Sequence, residues 1–318
     1  MTTMGHISNA SNDTRFVIED AVYDVGYAIH FGHYAWVEEV APGAARILDF
    51  GCGSGYGIGY LASLGKEVCG VDISRDAVDY AAAHYPSARF VCSTLDKPLE
   101  ENPTLQQCGL GWDVVASFEV VEHVEDSLNF VRNAAAMVAN DGVALIGCPN
   151  RLTSFEFNIN FTEDHVHEFT PYQLDQVCRM YFRSVEILGE AIHPPVRRRL
   201  FHQTRSFRSR LREFLRSSAW AGSAETGIWG AIRSVLRKIR RMRGSTMVPA
   251  AVGYIPLEKL KQDYFAFVTE PRQVKRARGI IAVCRDPIRP LPPAILGHAA
   301  FRMMRSTELL KSNNPPEF

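Results

Sequence analysis

One turn constrains this chain more than any other feature. An apolar run, ARILDF at 45–50, leads directly into GCGSG at 51–55 and then into helical apolar spacing, GYGIGYLASLG. Gly51, Gly53 and Gly55 allow the backbone to reverse tightly between a strand and a helix, and allow a ligand to lie close against it. Asp49 stands near the end of the first apolar run, and Asp72 closes the next one, KEVCGVD. An acid in the second position is placed to take two ribose hydroxyls.

The rest of the first 190 residues repeats the same rhythm of short apolar runs and helical stretches, which is the signature of βαβ units in a mostly parallel sheet. RDAVDYAAAHY reads as a helix stopped by Pro86, ARFVCS as strand three and WDVVASF as strand four. A helix over roughly 126–139 is expected to end at the turn Asn140-Asp141-Gly142, and VALIGCPN to form strand five. TPYQLDQVCRMY reads as a helix with Thr170 as N-cap and Pro171 in its first turn. SVEILGE is strand six, and the next clear strand is GIIAVCR at 279–285. The expected fold is α/β, a Rossmann-like doubly wound sheet of seven strands with a basic helical insertion between strands six and seven.

About 90 residues separate those two strands, far more than a connection needs. Within the gap, residues 207, 211, 214 and 215 follow helical spacing, as do Ile228, Ile232, Val235, Leu236, Ile239 and Met242, with arginines beside both rows. The charge distribution marks the same segment. The chain is formally neutral, yet residues 1–190 hold 27 acidic and 10 basic side chains while 191–318 hold 8 and 25. Residues 197–243 alone carry 14 basic and 2 acidic side chains, a density suited to an anionic partner. The expected organisation is a disordered N-terminus at 1–15, a core at 16–190, the basic amphipathic insertion at 191–252, a return to the core at 253–290, and a C-terminal helix and tail at 291–318. No run approaches the ~18 uninterrupted apolar residues of a membrane span, and the N-terminus has no apolar signal region. Seven cysteines, an odd number without a CxxC pair, argue against a disulfide framework or a zinc ribbon and fit a reducing cytoplasm.

The acid followed by GxGxG, with a second acid ending the next strand, resembles the class I S-adenosylmethionine methyltransferases; a nicotinamide dinucleotide fold calls for GxGxxG instead. The resemblance implies that Gly51, Gly53 and Gly55 pass the methionine part of S-adenosylmethionine, that Asp72 holds the ribose and that Ile73 packs on the adenine. It places Thr94 and Leu95 near the adenine amine, Phe118 on the methyl-donor side, and Tyr34, in HFGHYAWVEEV, with Asp49 beside the cofactor.

SFEVVEHVED follows strand four, where the carboxyl ends of strands in doubly wound folds bind ligands, so Glu119, Glu122 and His123 belong near the donor methyl. After strand five a long segment carries Glu156, His165, His167 and Glu168. The motifs GYG, SFE..EH, PNR and H.HEFT..L resemble bacterial methyltransferases of polysaccharide and lipid-linked glycan assembly. The pattern Glu-x-x-Glu-His plus a distal His is shared with small-RNA 2′-O-methyltransferases and, more loosely, with ubiquinone-biosynthesis O-methyltransferases. That second resemblance implies Glu119, Glu122, His123 and His165 as ligands of a divalent ion of the Mg or Mn type. A metal-free reading keeps His123, His165 and Glu122 as catalytic groups acting by acid–base chemistry.

These readings imply a cytoplasmic O-methyltransferase that takes a sugar hydroxyl of a glycan or glycolipid, peripheral at the inner face of the membrane through 197–243. Three rivals stand beside it: an RNA 2′-O-methyltransferase using the arginine-rich segment as a phosphate groove, a small phenol or quinone O-methyltransferase, and an inactive cofactor-binding scaffold.

Overall fold

The computed structural model describes residues 25–153, 165–196 and 257–292. The expected disordered N-terminus, both insertion helices, Glu156 and nearly all of the C-terminal segment lie outside the described residues.

Eight strands form one sheet in the order β3-β2-β1-β4-β5-β8-β6-β7. They are β1 (Arg46–Phe50), β2 (Glu67–Asp72), β3 (Arg89–Cys92), β4 (Trp112–Phe118), β5 (Val138–Pro149), β6 (Phe182–Ile192), β7 (Phe265–Val268) and β8 (Gly279–Pro287). The first five pair in parallel. β8 is antiparallel to both β5 and β6, and β7 is antiparallel to β6.

The expected count of seven is therefore corrected to eight. The added strand, FAFV, has no alternation and only four residues, so periodicity does not separate it from its surroundings; it exists because the last part of β6 offers it an edge, Ala191 opposite Ala266. The long gap consequently lies between β6 and this edge strand. A second correction concerns 140–142. These residues do not end a helix in a separate turn but run within β5, whose start at Val138 pairs with Trp112 before the register shifts.

The helices are set by local signals. In α1 (Val25–Val40), α2 (Tyr56–Ser63), α3 (Arg75–His84) and α5 (Ser127–Met137) the apolar residues face the sheet, while α4 (Pro103–Gln106) is a single turn. Ser74 caps α3 and Asp126 caps α5, each side chain accepting a hydrogen bond from a first-turn amide. α6 (Pro171–Arg179) has the expected Thr170 cap, completed by Gln173 into a reciprocal capping box. α7 is Leu257–Asp263.

Two apolar layers cover the two faces of the sheet, as a doubly wound fold requires. Along β1, Leu48 and Phe50 join one layer with α5 and α6, while Ile47 joins the other with α1 and α2. Strand period then decides which polar groups meet α1. Asp49 shares the face of Ile47, Phe118 that of Val114 and Ala116, and Glu190 that of Leu188. All three stand at the carboxyl ends of their strands. No disulfide links any of the seven cysteines.

Candidate active site

The glycine turn adopts backbone angles that explain its composition. Gly51 has φ +88° and Gly55 φ +80°, in the left-handed region. The Gly51 amide donates to Val71 O at 2.7 Å, tying the turn to β2. Gly51 also has no room: a Cβ there would lie 2.2 Å from Val120 Cγ2. Gly51→Ala is expected to cost about 1–2 kcal/mol for the left-handed backbone and about 1–3 kcal/mol for overpacking. Urea unfolding checks it, with Val120→Ala as a second change that relieves only the packing share. Equal stability of Gly51→Ala and the wild type would refute this account of the turn.

Asp72 is buried at the end of β2 and accepts two backbone amides, Gly53 N–H on Oδ2 and Ser74 N–H on Oδ1, both at 2.9 Å. Beside it Ile73 is 72% exposed, an apolar side chain left in water at the mouth of the turn. Core packing does not account for Ile73. It does account for Leu95, which is buried in the apolar layer. Thr94 donates its hydroxyl to the Asp96 carboxylate, two residues on.

On the other side of the turn, Tyr34 reaches down from α1 and donates to Asp49 Oδ2 at 2.9 Å. Burial pushes the Asp49 carboxyl up to about 7, against the opposing effect of the Tyr34 hydrogen bond. The Phe118 ring sits between His33 and Tyr34, with ring centroids at 4.7 and 5.5 Å.

After β4 the residues expected to carry chemistry divide into two groups. Glu122, His123 and His165 come together, their ligand atoms all within 4.8 Å of one another. The imidazoles of His123 and His165 meet edge to face at 4.8 Å. Hydrogen bonds from the amides of Val166 and His167 to the Glu122 carbonyl, at 2.8 and 3.0 Å, bring the second segment onto the first. Glu122 is 1% exposed and neither of its carboxylate oxygens has a hydrogen-bond partner among the described residues. Burial, with Glu119 adding to it, pushes its carboxyl well above the usual range. A buried acid left without a donor, beside two imidazoles, fits a cation site. His123 is the accessible member, its side chain 41% exposed. Glu168 lies 3.9 Å from His165, and His167 Nε2 is 3.4 Å from the Glu125 carbonyl oxygen, outside the trio.

Glu119 takes a different partner. Its backbone is in the left-handed region, φ 59°, and its carboxylate faces the Arg278 guanidinium at 4.0 Å. Arg278 also donates to Glu190 Oε1 at 3.0 Å, and His33 Nε2 hydrogen-bonds the other Glu190 oxygen. Burial alone would raise the Glu190 carboxyl; His33 and Arg278 outweigh it and hold it at about 2. Glu190 and Arg278 are absent from the sequence-level candidates. Glu190 closes the apolar run SVEILGE with an acid, a weak sign, and nothing in the sequence places Arg278 beside it.

A family model described as a methyltransferase domain matches residues 26–214. A "probable S-adenosylmethionine-dependent methyltransferase" of Mycobacterium tuberculosis is 32% identical over 124 residues, covering 38% of this chain and 42% of that protein. A ubiquinone biosynthesis O-methyltransferase of Albidiferax ferrireducens is 29% identical over 161 residues, covering 48% of this chain and 64% of that protein. The matches thus span less than two thirds of the length of these relatives. Among solved structures, an S-adenosylmethionine-dependent methyltransferase from Archaeoglobus fulgidus aligns with a TM-score of 0.48 and 18% identity, over 84% of this chain and 96% of that one. The family match takes in more than half of the chain, including the glycine turn, Asp72 and the acid and histidine cluster, and the chain belongs to the methyltransferase-domain family.

Proposed function

We propose that the protein is an S-adenosylmethionine-dependent O-methyltransferase acting on a sugar hydroxyl of a glycan or lipid-linked saccharide. One observation carries the reading: β1 and β4 are parallel neighbours in the sheet, so the glycine turn that follows β1 and the Glu122, His123 and His165 cluster that follows β4 stand at the same carboxyl edge. The Gly51–Gly55 turn, with Tyr34 and Asp49, receives the methionine part, Asp72 the ribose, and Ile73 the adenine, with Thr94 and Leu95 at its far side.

Methyl transfer is an in-line displacement. The acceptor oxygen forms its bond to the methyl carbon, the carbon–sulfur bond breaks, and the electron pair leaves with sulfur as S-adenosylhomocysteine. The acceptor proton must go elsewhere, and the accessible imidazole of His123, backed by His165, takes it, a contribution of about 10²- to 10⁴-fold. Glu122, His123 and His165 would also hold a divalent ion, which when bound lowers the pKa of the acceptor hydroxyl.

The acceptor reading rests on the basic segment at 197–243, whose two apolar rows beside arginines suit an anionic lipid surface. Arginine near an anionic leaflet contributes about 1 kcal/mol per residue, so four or five engaged side chains suffice for salt-sensitive docking. No helix among the described residues is long and apolar enough to cross a membrane. In this reading the protein is cytoplasmic and peripheral. A phenolic acceptor is the second reading, favoured by the relatives named for ubiquinone biosynthesis.

Flotation with anionic and neutral vesicles, beside a gel shift with single-stranded and duplex RNA, is expected to show binding to anionic vesicles alone. Transfer of label from S-adenosylmethionine to a polyprenyl-linked saccharide, a polyprenyl phenol or RNA identifies the acceptor. RNA binding and labelling without vesicle binding would replace the glycan reading with the RNA one. Cofactor binding with no transfer to any acceptor would favour the inactive scaffold.

A further inference from the structure

The ligand pattern in the sequence has two carboxylates, yet the structure commits only one of them to the cation site. Glu119 faces Arg278, and Arg278 is not free to follow it elsewhere. The Arg278 amide donates to the Glu190 carbonyl at 2.9 Å, and its own carbonyl accepts from the Asn150 amide at 2.9 Å. Its guanidinium is tied to Glu190, which His33 braces from the opposite side. Separating Glu119 from Arg278 would leave the guanidinium with Glu190 and take from the Glu119 carboxylate the cation it faces, in a region that is nearly closed to water.

We propose that Arg278 withholds Glu119 from the cation site, so that the site formed by Glu122, His123 and His165 selects an imidazole-preferring transition ion, of the Zn²⁺, Co²⁺ or Fe²⁺ class, over Mg²⁺. The proposal deepens the methyltransferase reading and rests on it for the use of the ion. Three observations support it. The trio closes within 4.8 Å without Glu119. Glu122 is the buried acid that has no donor among the described residues. The donor set is then two nitrogens and one oxygen with a single negative charge. Imidazole suits Zn, Cu, Fe and Ni, whereas Mg²⁺ requires a near-octahedral shell of oxygens. Arg278 is in this account a specificity-determining residue that acts through Glu119.

The test uses the full chain stripped of metal by a chelator and dialysed. Co²⁺ is titrated in and followed by its visible absorption, then displaced with Zn²⁺ or Mg²⁺, and calorimetry measures S-adenosylmethionine binding on the same samples. Saturable Co²⁺ uptake is expected, displaced by stoichiometric Zn²⁺ but with a preference of about a hundredfold or more over Mg²⁺. Glu119→Gln is expected to leave Co²⁺ affinity and spectrum unchanged, while Glu122→Gln and His165→Ala abolish saturable uptake. Arg278→Met is expected to release Glu119 and raise Mg²⁺ affinity; because that variant can fail to fold, Glu119→Gln is the deciding arm. Displacement of Co²⁺ by Mg²⁺ at comparable concentration overturns the proposal, as does loss of uptake in Glu119→Gln. Cofactor binding without any Co²⁺ uptake also overturns it but leaves the methyltransferase reading standing, whereas absence of cofactor binding removes that reading itself.

Discussion

His165→Ala and Glu122→Gln are each expected to lower turnover by about 10²- to 10⁴-fold while leaving the affinity for S-adenosylmethionine unchanged. The separation follows from the geometry. Neither side chain belongs to the glycine turn: Glu122 follows β4 and His165 follows β5, whereas the turn follows β1. Glu122 is buried with its carboxylate oxygens unsatisfied and a ligand atom within 4.8 Å of those of His123 and His165, so in the proposed reaction it is an oxygen ligand of the ion that the three residues hold. Replacing it with glutamine keeps the shape and removes the charge. Steady-state kinetics beside calorimetry checks this, and a KM effect with unchanged kcat would move the cluster from chemistry to acceptor binding. Activity that survives exhaustive chelation, with no metal found by elemental analysis, would leave the imidazole base as the sole mechanism.

Asp72→Ala is expected to weaken S-adenosylmethionine binding by about tenfold to a hundredfold, the equivalent of a charged hydrogen bond worth about 1.5–3 kcal/mol. An ionised carboxylate offers about four lone-pair sites. The two oxygens of Asp72 hold the amides of Gly53 and Ser74, and in the proposed reading the same carboxylate accepts the ribose hydroxyls. Alanine would therefore remove the ligand contact and also release two amides that shape the turn. Asp72→Asn separates the contributions, because its single carbonyl oxygen can keep one amide but cannot accept on both sides. Calorimetric affinities equal to the wild type in both variants would exclude Asp72 from the cofactor site.

How much of this was legible differs by element. The glycine turn, Asp72 and the helix cap at Thr170 could be read directly, because each depends on residues close together in sequence. β7 could not: FAFV has neither alternation nor length, and it becomes a strand only against β6. Leu95 and Ile73 look alike as apolar residues after strands, yet one is buried in the core and the other is exposed at the turn. The metal pattern in the sequence has four residues, and one of them, Glu119, faces an arginine that no spacing rule reveals.

The sequence by itself determined the α/β architecture, the turn at 51–55, and the placement of Glu119, Glu122 and His123 after a strand end, since period, glycine position and caps are local properties. Tertiary structure decided what those residues meet. β8 enters antiparallel between β5 and β6, so its first residue, Gly279, pairs with Pro149 on one side and with Glu190 on the other. That direction places Arg278 at the carboxyl edge of the sheet, next to Glu190, 88 positions away in the chain. A parallel β8 would have put its opposite end there, and Glu119 would face no guanidinium from it. Strand direction within a sheet is set by packing and hydrogen bonding between distant segments, and the order of residues along the chain carries no local trace of it.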